Sequence, residues 1–478
     1  MPIRFDTDFS MTIDGKAVAG ASSLDVLNPA TETVVAQAPR CSPEQLDDAV
    51  AAARTASRTW AASDIAERQQ YLRDMADALE AETGALKWLL TSEQGKTLDE
   101  AATEIRGASY WLRETATLNL PETVNEDNDE RLSITRHVPL GVVGAIVPWN
   151  FPLGLAAFKL GPALLAGNTV VLKPSPFTPL TTLKVGELLR AVLPPGALNV
   201  ISGDDELGPL MTAHPGIDKI GFTGSTQTGR RVMAGAAATL KRVTLELGGN
   251  DAAIVLPDVD VAAVAPALFW GAFYSSGQVC LAAKRLYIHA DVYDELKHAL
   301  TDIAKAVNVG DGTANDTQLG PIQNRPQYQR VLDLIQDAKK HGYTFLTGGL
   351  PGEQKGYFVP LTLIDNPPET SRIVQEEQFG PVLPLLKFDD VEDAIARANA
   401  TEYGLGASVW SADPEAALAV GRRLRAGTVW INEIQYLTPL VTFAGHKQSG
   451  LGTESGQDGL LEYTLPRTIT VRRTARTA

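Results

Sequence analysis

Cysteine is scarce in this chain. Cys41 and Cys280 are the only two in 478 residues, too few for a disulfide framework. Each is either a small buried apolar residue or a reactive thiol, and burial is the default for a cysteine taken alone. The six histidines are scattered, with no HExxH and no CxxC, so no metal site is expected. No apolar run reaches the ~18 residues that a membrane-spanning helix needs. The longest, Val261–Tyr274, is interrupted by Pro266 and Gly271. A basic surplus is missing too: 42 Lys and Arg stand against 57 Asp and Glu, a net charge of −15, with no Lys/Arg cluster. Nucleic acid is therefore not an expected partner, and the acidity is read as a solubility feature. The N-terminal MPIRFDTDFS carries acidic residues where a secretion signal would be apolar. These absences together lead to the expectation of a cytoplasmic protein with no membrane partner.

What is present is the mix of an ordinary globular protein, 44% hydrophobic and 21% charged, which excludes a disordered chain or a coiled coil. The length suggests two or three domains. Ser42, Pro43 and Gln45 spell a capped helix start. A second helix begins near Asp64, with Ile65, Leu72, Met75 and Leu79 on one side. Leu118–Asp129 reads as a polar segment. Arg131–Val138 then alternates as a strand, and the C-terminus does the same around Thr468–Arg472. These two strands lie outside the αβ alternation. They could pair as a projecting β-ribbon that recruits another chain, or be two ordinary edge strands.

From Gly141 strands and helices alternate. Strands are expected at Val142–Val147, Thr169–Leu172, Ala197–Ile201, Lys219–Phe222 and Val243–Leu247, with helices at Leu155–Leu165 and Thr181–Leu193. That is the pattern of a parallel, Rossmann-like sheet, whose ligands bind outside the carboxyl ends of the strands.

Four features in these turns could carry chemistry. Gly224 and Gly229 have the spacing of a phosphate loop, but Arg230-Arg231 follow where a P-loop has Lys-Ser/Thr. The strand-turn-helix context still suits a pyrophosphate at a helix N-terminus. Glu246 sits at the carboxyl end of its strand and could be a general base; a salt-bridged edge acid is the plainer reading. Cys280 follows a Gly turn after the apolar run and could present a thiol to a carbonyl. Asn150, between Pro148 and Pro152, could donate to a developing oxyanion or simply form a turn.

The stretches Pro148–Pro152, Lys173–Pro176, Phe222–Gly229, Leu245–Gly249, Gly277–Cys280, Glu376–Pro381 and Gly445–Glu454 occur in order along nearly the whole chain. Together they resemble the aldehyde dehydrogenase superfamily, in its broad non-acylating group, and the interval from Glu246 to Cys280 fits as well. The resemblance implies an α/β fold with a Rossmann-like cofactor domain (1–119 and 140–248), an α/β catalytic domain (249–450) and a small β oligomerisation arm (120–139 and 451–478). It implies that Cys280 is the nucleophile, that Asn150 and the Cys280 N–H form the oxyanion hole, and that Glu246 activates water. Lys159 and Glu454 match a pair proposed to relay protons near that base. For an NAD or NADP cofactor it implies Lys173 at the adenosine ribose, Gly224 and Ser225 at the pyrophosphate, Glu377 at the nicotinamide ribose and Phe379 beside the nicotinamide. Pro148, Trp149, Ser175, Pro176, Gly229 and Leu247 fall in the same stretches and complete the expected cofactor set. A homodimer or homotetramer is implied through the arm.

Two departures matter. Many relatives have Glu after Lys-Pro-Ser, where this chain has Pro176, and dual NAD/NADP use is the resulting expectation. Many also carry a second cysteine beside the nucleophile; here Val279 and Leu281 flank it. The expected substrate pocket comprises Phe151, Leu155, Phe158, Trp270, Tyr274, Val279, Leu281, Tyr436, Leu437 and Phe443. None is basic, so an uncharged aliphatic or aromatic aldehyde is expected rather than a succinate-like semialdehyde. The competing readings are a CoA-acylating semialdehyde dehydrogenase, which Glu246 argues against, and a non-catalytic protein that keeps the fold.

Overall fold

The computed structural model describes residue 5 and residues 8–473. Residues 1–4, 6 and 7 of the N-terminal stretch read above, and residues 474–478 of the expected arm, lie outside the described residues. The described chain opens with β1 (Met11–Ile13) and β2 (Lys16–Val18), then a separate ribbon of β3 (Ser22–Asn28) and β4 (Thr33–Arg40). Four helices follow: α1 (Pro43–Ala62), α2 (Ile65–Ala81), α3 (Thr83–Gln94) and α4 (Leu98–Thr115). The expected capping box of α1 forms in both directions between Ser42 and Gln45. Asp64 caps α2, and Leu72, Met75 and Leu79 are buried on its inner face. A second capping box, Thr97 with Glu100, starts α4. α3 ends at Gly95, whose φ of 96° is left-handed and which packs so closely on Pro29 and Pro321 that a Cβ would collide with both rings.

The segment expected to be merely polar contains a strand, β5 (Glu122–Asp127), which pairs with β6 (Arg131–Pro139). Exposure explains the miss. β5 has no buried face, so no alternation marks it. β6 pairs along its whole length with the C-terminal strand Thr464–Arg472, from Thr464 opposite Pro139 to Arg472 opposite Arg131. The C-terminal strand thus starts earlier than the alternation suggests. The three make one antiparallel sheet with β6 in the middle.

The Rossmann-like part runs β7 (Val142–Ile146), α5 (Pro152–Leu165), β8 (Thr169–Lys173), α6 (Leu180–Leu189), β9 (Leu198–Val200), α7 (Leu207–Ala213), β10 (Lys219–Thr223), α8 (Thr226–Ala237) and β11 (Arg242–Glu246). The order β9-β8-β7-β10-β11 is parallel throughout. β1 and β2 extend one edge and Gly450–Leu451 the other, each antiparallel. Most of these strand residues are buried, as expected of parallel strands covered on both faces. The order reverses between β7 and β10, and that is where a ligand crevice opens in such sheets.

After β12 (Asp251–Val255) and α9 (Val261–Phe273), β13 (Ala283–His289) begins a second, mostly parallel sheet. Its order is Thr344–Thr347, Thr362–Asp365, Val382–Phe388, β13, β12, Gly406–Trp410, Thr428–Ile431. Leu247–Asn250 carries the chain from the end of β11 to the start of β12. The carboxyl ends of the first sheet therefore face the entry ends of the second. No described helix is long and apolar enough to cross a membrane.

Candidate active site

A cleft of ≈ 440 Å³ lies where the two sheets meet. Its walls come from the turn after β7 (Pro148, Trp149, Asn150), the turn after β10 (Thr223 to Gln227), Leu247-Gly248, Cys280, and the loop holding Glu377 and Phe379. Residues far apart in sequence thus converge at the switch point that the strand order dictates.

Cys280 reaches the cleft through a tight turn. α9 ends at Tyr274, and Ser275, Ser276 and Gly277 all have positive φ. Gly277 is required: a Cβ there would lie 2.4 Å from the Gly380 carbonyl oxygen. This close approach brings the cysteine turn against the Phe379 loop. Burial pushes the Cys280 thiol up to about 12, and Lys284 pulls the other way. The buried Lys284 ammonium donates to the carbonyls of Val279 (3.1 Å) and Cys280 (2.5 Å) and lies 3.5 Å from Glu377. Sequence reasoning passed over Lys284, although a Lys-Arg pair heading the apolar β13 is a visible anomaly.

Asn150 is buried, and its Nδ2 donates to the Gln278 carbonyl at 3.0 Å. That bond ties the amide to the turn carrying Cys280. The second amide N–H is left to serve another acceptor.

Glu246, at the carboxyl end of β11, is buried, and its Oε1 has no hydrogen-bond partner among the described residues. Desolvation raises its carboxyl well above the usual range, and the charge of Glu454 adds to this. Lys159 and Glu454 form the expected ion pair, both fully buried. Behind them lies a second buried cation that the sequence did not mark. Lys219 donates to Thr244 Oγ1 at 2.6 Å and stands 4.9 Å from the Tyr463 ring centre. Burial lowers its ammonium to about 8.

The expected cofactor residues divide into two sets. Pro148, Trp149, Gly224, Ser225, Leu247, Glu377 and Phe379 line the cleft. Ser225 is the N-cap of α8, its Oγ accepting from Thr228 N, so the helix N-terminus faces the cleft. Glu377 Oε1 accepts from Gly249 N at 3.0 Å, and burial raises its carboxyl. Phe379 has a φ of 49° and meets Trp149 edge-on at 5.4 Å. Gln327 fixes this strained loop by donating to the carbonyls of Gln378 and Phe379. Lys173, Ser175 and Pro176 lie outside the cleft lining, at the end of neighbouring β8. Gly229 is not on the lining either: it packs under Leu247, where a Cβ would be 2.4 Å from that side chain. The lining fits a dinucleotide: a helix N-terminus for phosphates, a carboxylate for a ribose and an aromatic face for a planar ring.

The expected substrate residues also divide. Val279, Leu281 and Phe443 form an apolar cluster with Ala282, Leu405 and Trp430, and Phe151, Tyr274, Cys280 and Leu437 pack against it. Leu155 lines the cofactor cleft instead. Phe158 stacks on Trp111 at 3.9 Å within the first core, and Trp270 packs edge-on to Phe269 in another. Tyr436 points outward, 59% exposed, while its carbonyl accepts from the Trp430 indole.

Residues 17–469 match the family model described as the aldehyde dehydrogenase family. An aldehyde dehydrogenase of Fusarium is 42% identical over 465 residues, covering 97% of this chain and 98% of the relative. Among solved structures, the NAD+ complex of an aldehyde dehydrogenase from Bacillus cereus superposes with a TM-score of 0.96 at 37% identity, covering 98% of both chains. The betaine aldehyde dehydrogenase of Staphylococcus aureus, solved with NAD+, gives 0.94 at 32% identity over 98% of this chain and 96% of that one.

Proposed function

The chain belongs to the aldehyde dehydrogenase family, a nicotinamide-dependent group of enzymes, and from that membership we propose that it oxidises its aldehyde through a thioester on Cys280. The observation that carries this is the convergence of Cys280, Asn150 and the α8 N-terminus on one cleft. Glu246 is coupled electrostatically to the thiol. The thiol is protonated at rest, so its proton passes to a base as sulfur adds to the carbonyl carbon. Asn150 Nδ2 and the Cys280 N–H stabilise the oxyanion of the thiohemiacetal. A bound nicotinamide would supply the two-electron acceptor for the oxidation. Glu246 then takes a proton from water, the hydroxide adds to the thioester, and the Cys280 thiolate leaves as the carboxylic acid forms. Burial raises this carboxyl, which makes its ionised form a stronger base than an ordinary carboxylate. The test is Glu246→Gln, which should stop turnover and leave acyl-enzyme visible by intact-mass spectrometry. Normal turnover would assign the base elsewhere.

Glu377, Phe379, Gly224 and Ser225 would hold the nicotinamide and pyrophosphate ends, and Lys173 the adenosine ribose. Because Pro176 offers no carboxylate to repel a 2′-phosphate, both NAD and NADP should be accepted. The apolar cluster around Cys280 favours an uncharged aliphatic or aromatic aldehyde; an aldehyde panel at fixed cofactor tests this. We assign 1–119 and 140–248 to the cofactor domain, 249–450 to the catalytic domain, and 120–139 with 451–478 to an oligomerisation arm. Exposed Val124, Ile469 and Val471 on the three-stranded sheet of β5, β6 and Thr464–Arg472 support assembly into a homodimer or homotetramer. A monomeric mass by light scattering at micromolar protein would refute it.

A further inference from the structure

Three buried acids, Glu93, Glu100 and Glu104, lie at the end of α3 and along the first turns of α4, yet their carboxylates reach elements elsewhere in the chain. Glu93 accepts from the N–H groups of Leu180 and Thr181 at the start of α6. Glu100 accepts from Ser275 N, in the strained turn before Cys280. Glu104 Oε1 accepts from Leu153 N (2.9 Å) and Gly154 N (3.2 Å) at the start of α5. α5 needs such help: its N-cap is Phe151, which has no capping side chain. Glu104 is therefore the cap, delivered from another helix.

Glu104 also has a cation. Lys96 Nζ lies 2.5 Å from Glu104 Oε2, with both side chains essentially inaccessible to solvent. The same ammonium donates to the backbone carbonyl of Asn150 at 2.9 Å and sits 3.8 Å from the Phe151 ring centre. The junction between the turn and the helix is thus gripped from both sides: Asn150 by its carbonyl and its amide, the start of α5 by its N–H groups. The amide hydrogen bond to Gln278 O then leaves the Asn150 side chain little freedom to rotate.

We propose that the buried Lys96–Glu104 pair is a positioning device for the Asn150 amide, holding it where the oxyanion forms at Cys280. The proposal rests on the reading of Asn150 as an oxyanion donor. Neither Lys96 nor Glu104 lines the cleft, so neither touches the reacting atoms. Their effect passes through the Asn150 peptide. Removing one partner alone strands a buried charge, so the informative variant removes both: Lys96→Met with Glu104→Gln, where the Gln oxygen can still accept from the α5 N–H groups.

The experiment is a cycle of kcat/KM measurements with and without Asn150→Ala, with thermal stability and NAD+ affinity measured for every variant. In the unmodified background the paired variant should lower kcat/KM by roughly 10- to 100-fold, mainly through kcat, since a small misplacement of a catalytic group can cost ~10². In the Asn150→Ala background the same pair should lower it by less than about threefold, because the group it positions is gone. Equal losses in both backgrounds, or no loss in the first, would overturn the proposal. If Asn150→Ala alone retains kcat/KM within about threefold, the oxyanion reading falls and the positioning role falls with it, a result distinct from equal losses. Should the paired variant not fold, Lys96→Leu with Glu104→Gln, which also leaves no buried charge, is carried through the same cycle with the same criteria.

Discussion

The two thiols of the chain stand in contrasting surroundings and yet share one property: burial pushes both up to about 12. Cys41 lies at the entry to α1, buried, its Sγ donating to the Ser42 carbonyl. The charge that bears on it is Asp48, which opposes a thiolate. Cys280 lies partly exposed on a cleft wall, with Lys284 favouring its thiolate and Asn150 tied to its turn. A resting pKa therefore does not separate the proposed nucleophile from the other cysteine. Access and the groups arranged for the charge that develops later do separate them. With its thiol pushed up to about 12, Cys280 needs a base to react, and the carboxylates whose charges bear on it are Asp251, Glu246 and Glu377.

The sharpest way to break this contrast is to remove each sulfur. Cys280→Ala should abolish steady-state aldehyde oxidation while NAD+ affinity and thermal stability persist. Cys41→Ala should leave kcat/KM within about twofold and cost about 1 kcal/mol of stability or less, the usual scale for one small buried group. Turnover surviving in the first variant, or vanishing in the second, would reverse the assignment of the two thiols.

Removing the proposed base comes next in size. For Glu246→Gln the steady-state rate should fall by ~10³ or more, given that general-base contributions reach 10²–10⁴. Single-turnover reduction of the cofactor should be retained in part, because the thiol is still present. A rapid burst followed by silence would place Glu246 in hydrolysis. Loss of the burst as well would place it in thiol activation too.

Much of this site was legible in the sequence, and the reasons are physical. Parallel strands buried on both faces announce themselves as apolar runs, so β7, β8, β9, β10 and β11 were located to within a few residues. The turns at their carboxyl ends then mark where a ligand crevice is expected, and the turns after β7 and β10 do line the cleft. β5 escaped because a strand with no buried face has no alternation to show. Glu100 and Glu104 escaped for a different reason. A charged residue on an amphipathic helix reads as solvated, and only tertiary packing reveals that α4 turns its acids inward. The apolar cluster beside Cys280 was half legible. Val279 and Leu281 flank the thiol by necessity, whereas Phe158 and Trp270 lie on helices whose rotation alone decides that they join the core.

Alkylation of the free enzyme sharpens the contrast without mutation. Iodoacetamide reacts with the thiolate, so a thiol near 12 should label about tenfold faster per pH unit between pH 7 and 10. Peptide mapping should find the label on Cys280, while Cys41 stays unmodified until the protein is unfolded. A labelling rate at Cys280 that levels off by pH 8 would mean that a thiolate already exists at rest.

The smallest effect concerns the other end of the cofactor, where burial acts with opposite sign. It disfavours charge everywhere, which raises thiols and lowers ammonium groups. Lys173 is lowered to about 8 by desolvation, with Asp205 and Asp204 pulling it back up. Pro176 supplies neither a carboxylate nor an N–H beside it. If Lys173 meets a 2′-phosphate, NADP is favoured while the ammonium is charged, below about pH 8, and that advantage is lost as pH rises through the same value. The ratio of kcat/KM for NADP to that for NAD should therefore fall between pH 7 and 9, by up to roughly tenfold, the change in charged fraction across that span. Titration of Cys280 and Glu246 affects both cofactors alike and cancels in the ratio. The phosphate's own second ionisation, near ~6, lies below the window. Pro176→Glu should lower the ratio at both pH values by restoring a repelling carboxylate. A ratio flat with pH, together with exclusion of NADP by the unmodified enzyme, would show that neither Lys173 nor the loss of Glu at position 176 reads the ribose.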